Sequence, residues 1–206
     1  MVLFNGGRMK IIFARHGETR ENNEKITQGW KDVDLSELGV IQARKTAERL
    51  KDESIDFIYS SDLKRAANTA KEILKLQKSS KLILDKRLRE QSKGIYEGQP
   101  VKTSQKEIDK LGIPWREFKP EGGESYYEVL YRVSEFYDFL KQEHKKGTIA
   151  VISHGGPLSL IIAYINKEKL ENHTKYLHKN AAITIIELDC KGNAEIKELN
   201  STEHLK

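Results

Sequence analysis

The chain has 206 residues, 37% hydrophobic and 33% charged, with a formal net charge of +5. That supports one sizeable core, and no apolar run approaches the ~20 residues of a membrane helix, so no membrane partner is expected. A single cysteine, Cys190, excludes an internal disulfide and points to a reducing cytoplasm, and with six scattered histidines it offers no zinc-type spacing.

Most basic residues are lysines interleaved with glutamates and form no dense block, so nucleic acid is not an expected partner either. Residues 1–8 read as a disordered N-terminal extension, too short and polar for a signal peptide, with Met9 as a natural start and 9–206 as a single domain. Lys10–Arg15 is the first strand, an apolar run that opens onto Arg15-His16-Gly17-Glu18-Thr19 and a turn into a short helix. Ser36 caps a helix to about Lys51, with Val40, Ala43, Ala47 and Leu50 on its apolar stripe. Phe57–Ser60 is a short buried strand, and Leu63, Ala66, Ala67, Ala70, Ile73 and Leu74 make the next helical face. Leu82–Leu84 is the third strand. Residues 86–123, punctuated by Gly and Pro, read as an irregular lid or insert, and a stretch of that kind in a compact domain is usually functional.

A long helix over about Ser125–Lys145 carries Val129, Leu130, Val133, Phe136, Tyr137 and Leu140, a stripe that reads as core. A strand at Thr148–Ser153 and an apolar helix at Gly156–Asn166 follow. Ala182–Asp189 and Ala194–Leu199 close the chain as two strands joined by a turn, and the last of them offers a free edge for a homodimer. The expected fold class is α/β: a three-layer sandwich with a mostly parallel central sheet, one antiparallel strand and helices on both faces.

Ligands of such sheets bind beyond the carboxyl ends of the strands. Arg15 and His16 follow the first strand, and Arg65 falls on the first turn of the helix after the second. Leu88-Arg89-Glu90 follows the third strand, and His154 the fourth. An imidazole can attack phosphorus, and guanidinium groups grip phosphate oxygens in bidentate fashion. Taken singly, each of these side chains is more often structural or solvated. Their convergence on one crevice points to phosphoryl transfer through a phosphohistidine.

The chain resembles the histidine phosphatase superfamily, in its phosphoglycerate-mutase-like branch. The resemblance is carried by Arg15-His16-Gly17-Glu18-Thr19, Asn22, Gln28-Gly29-Trp30, Asp34-Leu35-Ser36 and Gly39. It continues through Tyr59-Ser60-Ser61-Asp62-Leu63-Lys64-Arg65-Ala66, Leu88-Arg89-Glu90, Gly94, Tyr96-Glu97-Gly98, Gly122-Gly123-Glu124-Ser125 and Ser153-His154-Gly155-Gly156. By this resemblance His16 is the nucleophile, neutral because nearby cations disfavour imidazolium, with one ring nitrogen fixed by a backbone carbonyl. Arg15, Arg65 and His154 clamp the phosphoryl oxygens, while Asn22, Gln28, Gly29 and Gly155 complete the substrate pocket. Glu90 protonates the leaving alkoxide and then activates water. No metal or other cofactor is implied, because guanidinium groups carry the charge.

The implied partner is a small phosphorylated metabolite, and the implied reaction is phosphomonoester hydrolysis. A cofactor-dependent phosphoglycerate mutase is the alternative. The short span of about 30 residues between Glu90 and Gly123 favours the hydrolase, since mutases close a longer segment over the substrate. A non-catalytic phospho-ligand binding module is the further alternative, set against the presence of all five catalytic residues, Arg15, His16, Arg65, Glu90 and His154. Among hydrolases, broad-specificity sugar-phosphate or phosphoglycerate phosphatases and α-ribazole phosphatase fit the pattern. Lys93 reads first as a solvated loop cation and second as a pocket residue. Trp115, Arg116 and Lys119 form either a lid over the leaving group or a Trp packed on the sheet beside two surface cations.

Overall fold

Apolar residues fill both faces of the first strand, β1 (Met9–Arg15). Met9, Ile11 and Phe13 enter one core, and Ile12 and Ala14 enter another. A strand buried on both faces belongs in the middle of a sheet covered by helices on each side. The computed structural model, which describes residues 8–206, places it there. The other strands are β2 (Phe57–Ser60), β3 (Lys81–Leu84), β4 (Gly147–Ser153), β5 (Ile183–Leu188) and β6 (Ala194–Ser201). Their order across the sheet is β3-β2-β4-β1-β5-β6. β1 pairs in parallel with β4, β4 with β2, and β2 with β3. β5 is antiparallel to both of its neighbours, β1 and β6, so it alone runs against the other strands.

The helices are α1 (Arg20–Asn23), α2 (Glu37–Leu50), α3 (Lys64–Lys75), α4 (Val101–Leu111), α5 (Tyr126–Glu143) and α6 (Gly155–Ile165). On one face of the sheet α2 and α3 press Ala47, Leu50, Ala66, Ala70 and Ile73 onto Ile12, Ile58 and Ile152. On the other face α5 and α6 press Val133, Phe136, Leu140, Leu158 and Ile162 onto Ile11, Phe13 and Val151. Each such large apolar side chain contributes about 1.5–3 kcal/mol on burial. Ser36 caps α2 as expected, its Oγ accepting from the Gly39 N–H at 3.0 Å. Ser125 and Glu128 form a capping box that starts α5: Oγ accepts from the Glu128 N–H at 3.2 Å, and the Glu128 carboxylate accepts from the Ser125 N–H at 2.7 Å.

The expectation of irregular chain over 86–123 is corrected here. The segment holds α4 and two 3-10 turns, Lys86–Leu88 and Gly94–Tyr96. α4 buries none of its residues, has no side-chain N-cap, and ends where Gly112 takes a left-handed φ of 64°. Its root is tied by backbone bonds from Thr27 N–H to Gln99 C=O (2.8 Å) and from Val101 N–H to Lys25 C=O (2.9 Å). A 3-10 stretch at Leu170–Tyr176, unassigned from sequence, joins α6 to the approach to β5. The other α-helices and strands differ from their expected spans only at the ends, α6, for one, starting at Gly155 rather than Gly156, and a 3-10 turn at Glu203–Leu205 was unassigned as well. Among the described residues no helix is long and apolar enough to cross a membrane. Of the expected disordered extension, Arg8 is exposed and accepts a backbone bond from Gly147; the rest lies outside the described residues.

Candidate active site

The carboxyl ends of β1 and β4 hold the innermost part of the site. The His16 N–H donates to the Ser153 carbonyl at 3.0 Å, and its own carbonyl accepts from the Ala181 N–H at 3.1 Å. The imidazole is 2% exposed, with Nδ1 2.7 Å from the Gly17 carbonyl. A carbonyl only accepts, so Nδ1 carries the proton and Nε2 keeps its lone pair. Burial above all, then the Arg65 and Arg15 charges, hold the ring well below the usual histidine range, against a smaller upward pull from the Gly17 carbonyl. The ring is therefore neutral at pH 7, the form that can act as a nucleophile.

Arg65, on the first turn of α3, is 1% exposed. Its NH1 donates to the Lys31 carbonyl at 2.9 Å, its NH2 to the Gly29 carbonyl at 2.8 Å, and its Nε to His154 Nδ1 at 3.2 Å. Three of its five N–H groups are thus committed, leaving one on each terminal nitrogen. Burial lowers its pKa to about 10, so it stays charged. Arg15 donates from NH1 to the His178 carbonyl at 2.7 Å, while its buried Nε has no partner among the described residues.

His154 is fully buried and lies edge-on to His16, with ring centroids 5.0 Å apart. Its Nδ1 accepts from Arg65, so Nε2 carries the proton, 2.9 Å from Ser61 Oγ. Both nitrogens are engaged within the protein, and His154 is not among the residues that line the cavity shared by His16 and Arg65.

Glu90 arrives from the turn after β3, with Oε1 accepting from the Gln91 N–H at 2.9 Å. Its backbone is gripped by Arg132, which sequence reading missed, and by Trp30, singled out there only within Gln28-Gly29-Trp30. Arg132 of α5 donates to the carbonyls of Arg87, Arg89 and Glu90 at 2.7, 2.6 and 2.9 Å, and pairs with Glu124 at 2.9 Å. Trp30 Nε1 donates to the Glu90 carbonyl at 2.7 Å. A Cβ on Gly156 would stand 2.7 Å from Glu90 Oε1, so only glycine leaves that carboxylate its place.

Arg15, His16, Asn22, Gln28, Gly29, Arg65 and Glu90 all line one cavity of about 200 Å³. Asn22 Oδ1 accepts from the Thr19 N–H at 3.1 Å and from Asn180 Nδ2 at 3.0 Å, which leaves the Asn22 amide nitrogen as a donor. Asn180 also reaches the His16 carbonyl at 3.3 Å. Gly29 has φ +53° with the Glu97 carboxylate packed against it, two reasons for glycine there. The buried Thr27 Oγ1 and Gln28 Oε1 on the same wall have no partner among the described residues. Gly155 does not line the cavity; it sits against the Arg15 guanidinium, 3.6 Å from where a Cβ would lie. Among the described residues, no group of three His, Cys, Asp or Glu side chains is placed to hold a metal ion.

Lys93 lines this cavity, which corrects its first reading as a solvated loop cation. Its Nζ donates to Gln91 Oε1 at 2.5 Å and lies 5.4 Å from the Tyr126 ring centroid. Trp115 packs edge-on to Tyr126 at 4.5 Å and beside His173 at 5.0 Å, not on the sheet. Arg116 pairs with Glu171 and Glu117, and Lys119 with Glu128, as surface cations.

Comparison with known proteins identifies the family. The model of the histidine phosphatase superfamily (branch 1) matches residues 11–202. The chain is 32% identical to phosphoserine phosphatase 1 of Hydrogenobacter thermophilus over 201 residues, covering 96% of this chain and 94% of that one. Among solved structures, the α-ribazole phosphatase of Shigella flexneri superposes with TM-score 0.86 at 26% identity, over 94% of this chain and 96% of that one. A mycobacterial glucosyl-3-phosphoglycerate phosphatase gives TM-score 0.83 at 26% identity, over 95% of this chain and all of that one. The matched span takes in all the residues that line the phosphate-sized cavity, and the chain belongs to the histidine phosphatase superfamily, branch 1, as a phosphatase enzyme.

Proposed function

We propose that the protein hydrolyses phosphomonoesters of small metabolites through a phosphohistidine at His16. The observation that carries this reading is the neutral His16 ring, fixed through Nδ1 and set on the wall of a cavity shared with Arg15, Arg65 and Glu90. His16 Nε2 attacks phosphorus as the ester P–O bond breaks. Arg15, through its unpartnered Nε, and Arg65, through its two uncommitted N–H groups, hold the equatorial oxygens as charge builds on them. Each such donor contributes about 10²–10³-fold to turnover. Asn22 and Gln28 add polar contacts. Glu90, in its acid form, gives its proton to the leaving oxygen. A water then attacks the phosphohistidine, Glu90 takes that water's proton, and inorganic phosphate leaves with His16 neutral again. His154 acts through its neighbours, holding Arg65 Nε and packing against the nucleophile.

His16→Ala should abolish turnover of a chromogenic phosphomonoester, and wild-type enzyme quenched during turnover should carry an acid-labile, base-stable phosphate. Retained activity in the variant, or an acid-stable phosphate, would sink the mechanism. Chelators should leave the rate unchanged. Phosphoglycerate isomerisation faster than hydrolysis would replace the phosphatase reading with a mutase one. The lone exposed Cys190 supports a cytoplasmic location, testable by cell fractionation. The free outer edge of β6 supports a homodimer, testable by gel filtration with light scattering.

A further inference from the structure

A second cavity of about 340 Å³ opens beside the first, between α4, the start of α5 and the 3-10 stretch Leu170–Tyr176. Its apolar wall includes Ile108, Trp115, Phe118, Tyr126 and Leu177. Lys93, Val101 and Ser104 line both cavities, so the two adjoin. We propose that this second cavity seats the leaving group, and that the preferred substrates are phosphomonoesters of alcohols bearing a flat, apolar ring. The proposal rests on the phosphatase reading above, because the phosphoryl pocket next door gives the cavity its role.

Three observations carry it. First, α4 turns Val101, Ser104 and Ile108 toward these cavities at spacings i, i+3 and i+7, yet buries no residue. Its apolar stripe faces open volume where an ordinary amphipathic helix would face core. Second, Trp115, Tyr126 and His173 pack ring against ring, with Trp115 and Tyr126 inclined at 77°. A ring inserted among them gains the edge and face contacts that aromatic groups favour. Third, no Asp or Glu lines the second cavity, and its one lysine, Lys93, stands at the junction. An ammonium on the leaving group meets a cation there and no countercharge in that cavity. Amino-acid phosphates are therefore disfavoured, unlike what the name of the phosphoserine phosphatase relative describes.

The test pairs benzyl phosphate with ethyl phosphate, two esters of primary alcohols, and adds O-phosphoserine. Binding of benzylphosphonate and ethylphosphonate is measured by calorimetry beside kcat/KM. The benzyl compounds should be favoured at least tenfold in both measurements. Trp115→Ala and Ile108→Asn should each erase that preference while ethyl phosphate turnover stays unchanged. Ethyl and benzyl phosphates hydrolysed equally well, or O-phosphoserine hydrolysed faster than benzyl phosphate, would overturn the subsite and leave the phosphatase reading standing. Benzylphosphonate bound preferentially with no ester hydrolysed would do the reverse.

Discussion

The floor of the cavity and its outer wall are built in opposite ways. On the floor, His16, Arg65 and His154 are almost fully buried, and every polar contact described for them is to another fixed group. On the wall, α4 buries nothing and is held mainly at its root. The reacting phosphoryl group is the same in every substrate, so its donors gain from being locked before it arrives. The alcohol differs between substrates, and a wall with few buried contacts can change sequence or position at low cost in stability. Chemistry and selectivity are thus separated in space between adjoining cavities.

The sharpest way to break that contrast is on the floor. Arg65→Lys removes the planar fork that spans two carbonyls and His154; kcat should fall about 10²–10³-fold, read with a chromogenic ester. A change under threefold would show that the floor tolerates disorder after all. Acid should come next. His16, His154 and His178 are all held below the usual histidine range, chiefly by burial, His178 down to about 4. The unfolded chain takes up these protons near pH 6.5 and the folded chain does not. Their stability is fully present above that pH and is lost as pH falls below it, at about 1.4 kcal/mol per pH unit for each histidine still neutral in the fold. The urea midpoint should drop steeply between pH 6.5 and 5, above the range where most carboxylates titrate; a flat profile there contradicts the assignment.

Gly156→Ala is a subtler probe, since its methyl group displaces the Glu90 carboxylate. Turnover of an alkyl phosphate should fall roughly tenfold or more, while that of para-nitrophenyl phosphate, whose leaving group needs little protonation, should change far less. Equal losses on both esters would place the damage elsewhere. The smallest effect belongs to the wall. Lys106→Gly in the exposed middle of α4 should cost about 1 kcal/mol of helix propensity locally, yet leave the global unfolding midpoint and kcat for ethyl phosphate unchanged. Amides of α4 should exchange with deuterium long before those of β1.

Much of the floor was legible in the sequence because strand ends are legible. An apolar run followed by Arg15-His16, and another followed by Ser153-His154, place both histidines at the sheet's carboxyl edge without any knowledge of pairing. Arg65 followed from the helix that opens three residues after β2. The wall was less legible. α4 has a polar composition, lacks a side-chain cap, and sits between Pro100 and Gly112, so its Val101, Ile108 and Leu111 stripe was too sparse to announce a helix. The supporting contacts were invisible for another reason. Arg132 looks like any polar residue on an amphipathic helix, and its target carbonyls lie more than 40 residues upstream. Asn180 and His178 occupy a segment with no periodicity to place them. The committed nitrogens of His154 follow from where Ser61 and Arg65 end up in space.

The backbone of His16 is clasped by Ser153 on one side and Ala181 on the other, and β1 lies between β4 and β5. During vectorial synthesis on the ribosome, β1 and its histidine therefore leave ahead of partners more than 130 residues behind them. The clasp around His16 forms only after β4 and the segment that holds Ala181 have been made. A chain that stops before β4 carries His16, Arg65 and Glu90 without the Ser153 and Ala181 backbone groups that clasp the nucleophile, so the site closes late in folding.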